Sequence, residues 1–188
     1  MTNIRNHSIL RLTTSGLLIA VGIIIPMFSP LRIVIEPASF TLASHVVIFI
    51  AMFISPGVAA TVATGTAIGF LLGGFLPVVV LRAASHILFA TAGAFYLQRI
   101  RKTTTVTLRI FSFCIALTHA LCELVVVSIF YFGDFFSAGM GTSYYQHGFI
   151  LSVLLLVGLG TVIHSMIDFE IALVIKLALR KQISFETL

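Results

Sequence analysis

Six long apolar runs, joined by short stretches that hold nearly all the basic residues, constrain this chain more than any single motif. A bilayer crossing needs roughly 20 mostly apolar residues. Runs of that kind fall at residues 9–28, 39–54, 58–72, 77–97, 108–132 and 149–177. Pro26 and Pro30 end the first, and Ser55-Pro56-Gly57 turns the short second run sharply into the third. Gly73-Gly74-Phe75-Leu76-Pro77 breaks the chain before the fourth. Backbone N–H and C=O groups have no water to bind in lipid, so each run must satisfy them internally as a helix. The alternating segments of a membrane barrel are absent. The first run is too long for a secretory leader and lacks a small-residue cleavage site, so it is kept as a span. The expected fold is an all-α membrane protein of six transmembrane helices, with residues 1–188 forming a single domain.

Composition closes off the soluble alternatives. Only 9% of the 188 residues are charged and 59% are hydrophobic, against about 25% charged in soluble proteins. Too few charges exist to solvate a globule of this size. The net charge of +5 is no nucleic-acid footprint, because the basic residues sit in connections between the apolar runs. Nine of the eleven fall on one side of six crossings: Arg5, Arg11, Arg99, Arg101, Lys102, Arg109, Lys176, Arg180 and Lys181. Arg32 lies on the other side and Arg82 within a run. The positive-inside rule then places both termini in the cytoplasm of a multi-pass protein. Cys114 and Cys122 lie eight residues apart on one helix, a rise of about 12 Å, too far for a disulfide. They read as small buried apolar residues.

Small residues mark packing faces. Gly57, Thr61, Gly65, Gly69 and Gly73 recur every four residues along the third helix. The first helix carries a shorter version, Gly16 and Ala20, with Gly22 nearby. Such grooves let helix backbones approach closely in lipid. They serve either packing within this chain or docking against a second membrane protein. No long internal repeat is visible, which weighs against a self-sufficient inverted-repeat carrier.

Ionisable groups at bilayer depth are costly and usually face a cavity or a partner. Here they come as pairs spaced by four, so each pair shares a helix face: Arg82 with His86, His119 with Glu123, and His164 with Asp168. Glu170 lies on another face, and His45 adds a polar group to the second run. Counting along each run puts Arg82, His45 and Glu123 toward the outer surface, the other histidines near mid-membrane, and Asp168 and Glu170 toward the cytoplasm. The outer set can converge on an outward-opening cavity. Arg82 is then the natural anchor for an anion, because a guanidinium grips a carboxylate with two hydrogen bonds. Glu123 either balances Arg82 or binds a ligand nitrogen. The structural reading is an Arg82–Glu123 ion pair, with Asp168 and Glu170 securing the sixth helix near the inner interface. Two outward loops could cover such a cavity. Residues 29–39 hold Arg32, Glu36 and two prolines, and residues 133–148 hold Asp134, Tyr144, Tyr145, Gln146 and His147. Phe130, Tyr131, Phe132, Phe135 and Phe136 lead into the second loop, either to stack on a planar ligand or to form an interfacial belt.

Several segments carry a family likeness. The stretch Ser15-Gly16-Leu17-Leu18-Ile19-Ala20 resembles a first-helix motif of two alanines spaced by four, with Gly16 in place of the first. Pro37-Ala38-Ser39-Phe40-Thr41-Leu42-Ala43-Ser44-His45, Ile54-Ser55-Pro56-Gly57 and Leu81-Arg82-Ala83-Ala84-Ser85-His86 resemble small-vitamin members of the same group. That group is the S components, the substrate-capturing subunits of energy-coupling-factor (ECF) vitamin transporters in the bacterial plasma membrane. The resemblance covers nearly the whole chain. It implies a transmembrane coupling subunit and two cytoplasmic ATPase subunits as partners, and tilting of the whole S component to release its ligand inward. It implies ligand contacts from the last three helices and outer loops, where Arg82, His86, His119, Glu123 and His164 stand, with His45, Tyr131 and Tyr144 nearby. Gly16, Ala20, Gly65 and Gly69 would suit the sliding contact with the coupling subunit. The chain has no Gly-rich phosphate loop with Lys-Ser/Thr. It also lacks the amino-terminal His motif of the nickel and cobalt members. No catalytic residue, cofactor or resident metal is expected. An intramembrane Arg favours a carboxylate vitamin, nicotinate or pantothenate, over a pyridoxine-like or hydroxymethylpyrimidine-like ring. The rivals are a proton-coupled small-molecule carrier and an intramembrane metal-dependent hydrolase. The latter could draw zinc ligands from the His and carboxylate pairs but lacks a His-Glu-x-x-His run.

Overall fold

In the computed structural model, residues 2–35, 38–100, 104–133 and 146–179 are described, with side chains from residue 8 onward. Helix α1 (Thr2–Phe28) leads into a two-stranded antiparallel hairpin, β1 (Arg32–Ile35) and β2 (Ala38–Thr41). Helices α2 (Val46–Ile54), α3 (Pro56–Leu72), α4 (Pro77–Arg99) and α5 (Thr105–Phe132) follow. A π-helical stretch, Ile150–Leu159, then runs directly into α6 (Gly160–Leu179).

The helix starts follow local chemistry. Ser55 is extended and its Oγ accepts the Val58 N–H at 3.2 Å, with Pro56 in the first turn of α3, where a proline's missing N–H costs nothing. Pro77 opens α4 in the same way, and Thr104 caps α5 by accepting the Thr107 N–H at 3.1 Å. Gly74, at φ 74°, supplies the left-handed turn between α3 and α4.

Four apolar helical stretches are long enough to cross a bilayer: Ser8–Phe28, Pro77–Arg99, Thr105–Phe132 and Ile150–Leu179. Helix α3 has 17 residues. Helix α2 has nine, a length of about 13.5 Å against a hydrocarbon core of about 30 Å.

The expected helix over residues 39–54 is therefore half right. Residues 38–41 pair with β1 in the register Ile35↔Ala38 to Arg32↔Thr41, residues 42–45 form a turn, and only 46–54 are helical. Polar Ser39, Thr41, Ser44 and His45 have partners that helix geometry would not give them, and Ala43 sits at φ 68°. Non-helical backbone at membrane depth is tolerated only where protein buries it. Ladder bonds and a carboxylate from α6 meet that condition here.

The small-residue groove of α3 is filled from inside the chain. A Cβ at Gly65 or Gly69 would collide with Ile19 or Ile23 of α1, and one at Gly22 would lie 2.9 Å from Thr66 Oγ1. Helix α1 otherwise faces outward: Gly16 has nothing within 4 Å of a built Cβ, and Ala20 is exposed.

Two apolar clusters bracket the interior. One wraps α2 with Phe49, Phe89, Phe111 and Phe169. The other joins Ala38 to Val78, Val127, Phe130, Val153 and Val157. On α4, α5 and α6 the residues between these clusters are the polar ones.

Candidate functional site

Three of the long helices, α4, α5 and α6, each contribute one step of the polar layer. On α4 it is Arg82 and His86, on α5 His119 and Glu123, and on α6 Thr161, His164, Ser165 and Asp168, all buried. The turn before α2 adds Ser44 and His45.

Glu123 is the hub. Its Oε2 accepts from Arg82 Nη2 at 2.8 Å and from the Thr161 hydroxyl at 2.6 Å. Its Oε1 faces His86 Nε2 at 3.4 Å and His119 Nε2 at 3.5 Å. His45, His86 and His119 form a nearly equilateral triangle of rings, with centroids 4.8, 4.6 and 4.7 Å apart and planes steeply inclined to one another. The outer edge of His119 is fixed by Ser165, whose Oγ lies 3.3 Å from Nδ1.

Asp168 anchors the turn. Its Oδ1 accepts the Ala43 N–H at 2.8 Å, and its Oδ2 accepts the His45 N–H at 2.9 Å. His45 Nδ1 lies 3.3 Å from the same Oδ2. Ser44 Oγ bridges His45 Nδ1 at 3.2 Å and His164 Nε2 at 3.1 Å. A fully buried carboxylate that accepts two backbone N–H groups explains how the chain holds left-handed Ala43 and aims His45 inward.

A cavity of about 650 Å³, counting its open mouth, lies over this layer. Arg82, His86, His45, Ser44 and Glu123 line its floor, and Arg32, Ser39 and Thr41 of the hairpin line one side. Phe70 and Phe75 line the opposite wall, stacked at 4.6 Å and 21°. Arg32 Nε donates to Ser39 Oγ at 3.2 Å across the hairpin.

The sequence-predicted residues sort as follows. Arg82, His86, Glu123 and His45 meet at the cavity, with His119 and His164 directly behind them. Tyr131 instead packs against Phe132 and Phe149, at 5.0 and 5.2 Å, away from the cavity lining. Tyr144 lies outside the described residues. Asp168, expected near the inner interface, belongs to the cluster, because the extended stretch before α2 carries His45 down to meet it. Glu170 does face elsewhere, paired with Arg109 on the exposed side. Ser44, Thr161, Ser165 and the Phe70–Phe75 pair were not anticipated. Thr161 could have been, since it precedes His164 by three on the same helix face.

No family profile and no solved structure matches the chain. A curated relative does. The niacin transporter NiaX of Lactococcus lactis subsp. cremoris (strain MG1363) is 39% identical over 175 residues, which are 92% of this chain and 76% of the relative. The match spans nearly the whole chain. This chain belongs to the same family as that niacin transporter, the S components of energy-coupling-factor vitamin transporters.

Proposed function

We propose that this chain captures nicotinate from outside the cell and presents it to an ECF module. The observation that carries the reading is the buried Arg82–Glu123 pair at the floor of a cavity walled by aromatic rings. Nicotinate is a flat ring with a carboxylate and a ring nitrogen that accepts a hydrogen bond. Arg82 and Arg32 suit the carboxylate, with bidentate contact at one of them. The Phe70–Phe75 wall suits the ring face. The Ser44 and Thr41 hydroxyls are donors within the same cavity. The relative's substrate, niacin, supports nicotinate over pantothenate and over a pyridoxine-type ring.

The rest of the reading follows from the family. Residues 1–188 act as one domain crossing the bacterial plasma membrane six times, the second crossing being part extended and part helical. Both termini face the cytoplasm, on the side of nine basic residues, and the cavity opens outward. A transmembrane coupling subunit and two ATPase subunits supply energy. Gly16 and Ala20, exposed on α1, suit the coupling contact. Gly65 and Gly69 act through α1, which they seat.

Calorimetry on the purified protein tests the ligand. Nicotinate is expected to bind, and nicotinamide, lacking the negative charge, at least tenfold more weakly. Preference for nicotinamide, pantothenate or pyridoxine would overturn the assignment.

A further inference from the structure

Around Glu123 Oε1 the polar layer makes poor hydrogen bonds and a good coordination shell. Glu123 Oε1 lies 3.4 Å from His86 Nε2 and 3.5 Å from His119 Nε2. Both distances are long for N–H···O hydrogen bonds, and His119 Nε2 has no hydrogen-bond partner although its residue is wholly buried. A tetrahedral zinc with bonds of about 2.0–2.1 Å spaces its ligand atoms about 3.3–3.4 Å apart. One ligand atom from each of His45, His86, His119 and Glu123 lies within 4.8 Å of all the others.

The groups behind these atoms are placed as metal ligands require. A ligating imidazole usually gives its other nitrogen to a carboxylate, hydroxyl or carbonyl, which fixes the ring. His119 Nδ1 meets Ser165 Oγ, and His45 Nδ1 meets Asp168 Oδ2 and Ser44 Oγ. That leaves Nε2 of both rings as the inward atom. Glu123 Oε2 is held by Arg82 and Thr161, which leaves Oε1 for the ion. Asp168 is committed to two backbone N–H groups and so supports His45 rather than binding an ion itself.

We propose that His45, His86, His119 and Glu123 form a tetrahedral site for one divalent transition-metal ion of the zinc class, at the floor of the cavity. Three imidazoles and one carboxylate from two helices and a turn suit zinc or cobalt(II) and not the oxygen-only shells of magnesium or calcium. With the imidazoles uncharged, as ligation demands, Arg32 and Arg82 only offset Glu123 and Asp168. The ion adds two positive charges under the cavity. This second point rests on the nicotinate reading: the metal turns a neutral pocket into one that attracts an anion.

Metal content decides it. The full chain, purified in detergent without a metal-affinity tag, is analysed by plasma mass spectrometry, then stripped with chelator and titrated with Zn²⁺ and with Co²⁺. One equivalent of zinc per chain is expected, and cobalt should give the strong visible bands of tetrahedral N/O ligation. His86→Ala and His119→Ala should each lower zinc occupancy at least tenfold. Less than a tenth of an equivalent in the wild-type chain, with no cobalt bands, overturns the site. Full zinc in both variants overturns it as well. The wild-type result stands even where a variant fails to fold. Nicotinate binding measured on the same stripped and reloaded protein separates the two readings. Zinc bound without nicotinate affinity keeps the metal site and removes the vitamin. Equal nicotinate affinity in a chain that takes up no metal does the reverse.

Discussion

Charge removal at Arg82 has the largest calculable effect on the unliganded protein. Arg82→Met keeps the length and apolar stem of the side chain and deletes its guanidinium. Glu123 then remains ionised in a layer where its side chain is 4% exposed, with only Thr161 still donating to Oε2 at 2.6 Å. Breaking one partner of a buried pair costs about 3–5 kcal/mol, because the surviving charge is uncompensated. The Thr161 bond sets the expectation at the lower end, about 3 kcal/mol. Glu123→Gln alone removes the carboxylate charge that faces the guanidinium at 2.8 Å and should cost a similar amount. The double variant removes both charges and should recover most of the loss, leaving a coupling energy of about 2 kcal/mol or more. An ordinary interhelical hydrogen bond in a membrane protein couples by only about 0.6 kcal/mol, so the cycle separates the two cases. The assay is denaturant unfolding of the four proteins in detergent, stripped of metal and without nicotinate, followed by helical circular dichroism. Additive losses, with coupling at or below about 0.6 kcal/mol, would show that the pair is not a desolvated ion pair and would undo the reasoning.

Three further outcomes are expected. Asp168→Ala strands the Ala43 and His45 N–H groups and should destabilise by about 3 kcal/mol, with faster hydrogen exchange at those two amides; unchanged exchange would remove Asp168 as the clamp. Gly65→Leu should cost about 1–3 kcal/mol in thermal unfolding by driving Ile19 and α1 off α3, while Gly57→Leu, at a site with nothing within 4 Å, should stay within about 0.5 kcal/mol. Gly16→Phe should leave nicotinate binding unchanged and abolish uptake in cells expressing the whole transporter; normal uptake would exclude that face of α1 from coupling.

The long helices were legible because length and apolar continuity are decisive in lipid. Pairs spaced by four marked the polar faces of α4, α5 and α6, and those faces do meet. The second crossing was not legible. Residues 39–54 have the composition of a span, and nothing local announces that Ser39 and Thr41 pair with β1 or that Ala43 turns left-handed. The turn depends on Asp168, more than a hundred residues away. Counting along an assumed helix also put His45 and Asp168 at different levels, whereas His45 Nδ1 lies 3.3 Å from Asp168 Oδ2. Half of the proposed coordination shell was legible, since the spacing of four marked His119 with Glu123 as zinc-ligand candidates, but nothing joined His45 and His86 to them. His45, His86, His119 and Glu123 share no spacing motif, because one comes from a turn, one from α4 and two from α5. The groove of α3 left two uses open in sequence, and only coordinates reveal Ile19 and Ile23 seated in it.

Helix α2 bears on how the protein is made. Eight of its nine residues are buried, so it touches protein on nearly every side. A segment about 13.5 Å long cannot be released sideways into lipid by itself during synthesis. Its approach carries a polar turn whose N–H groups wait for a carboxylate translated far later. Residues 38–54 therefore gain their full set of backbone partners only with α6 in place. Helix α6 thus completes both the turn that leads into α2 and the polar layer beside it.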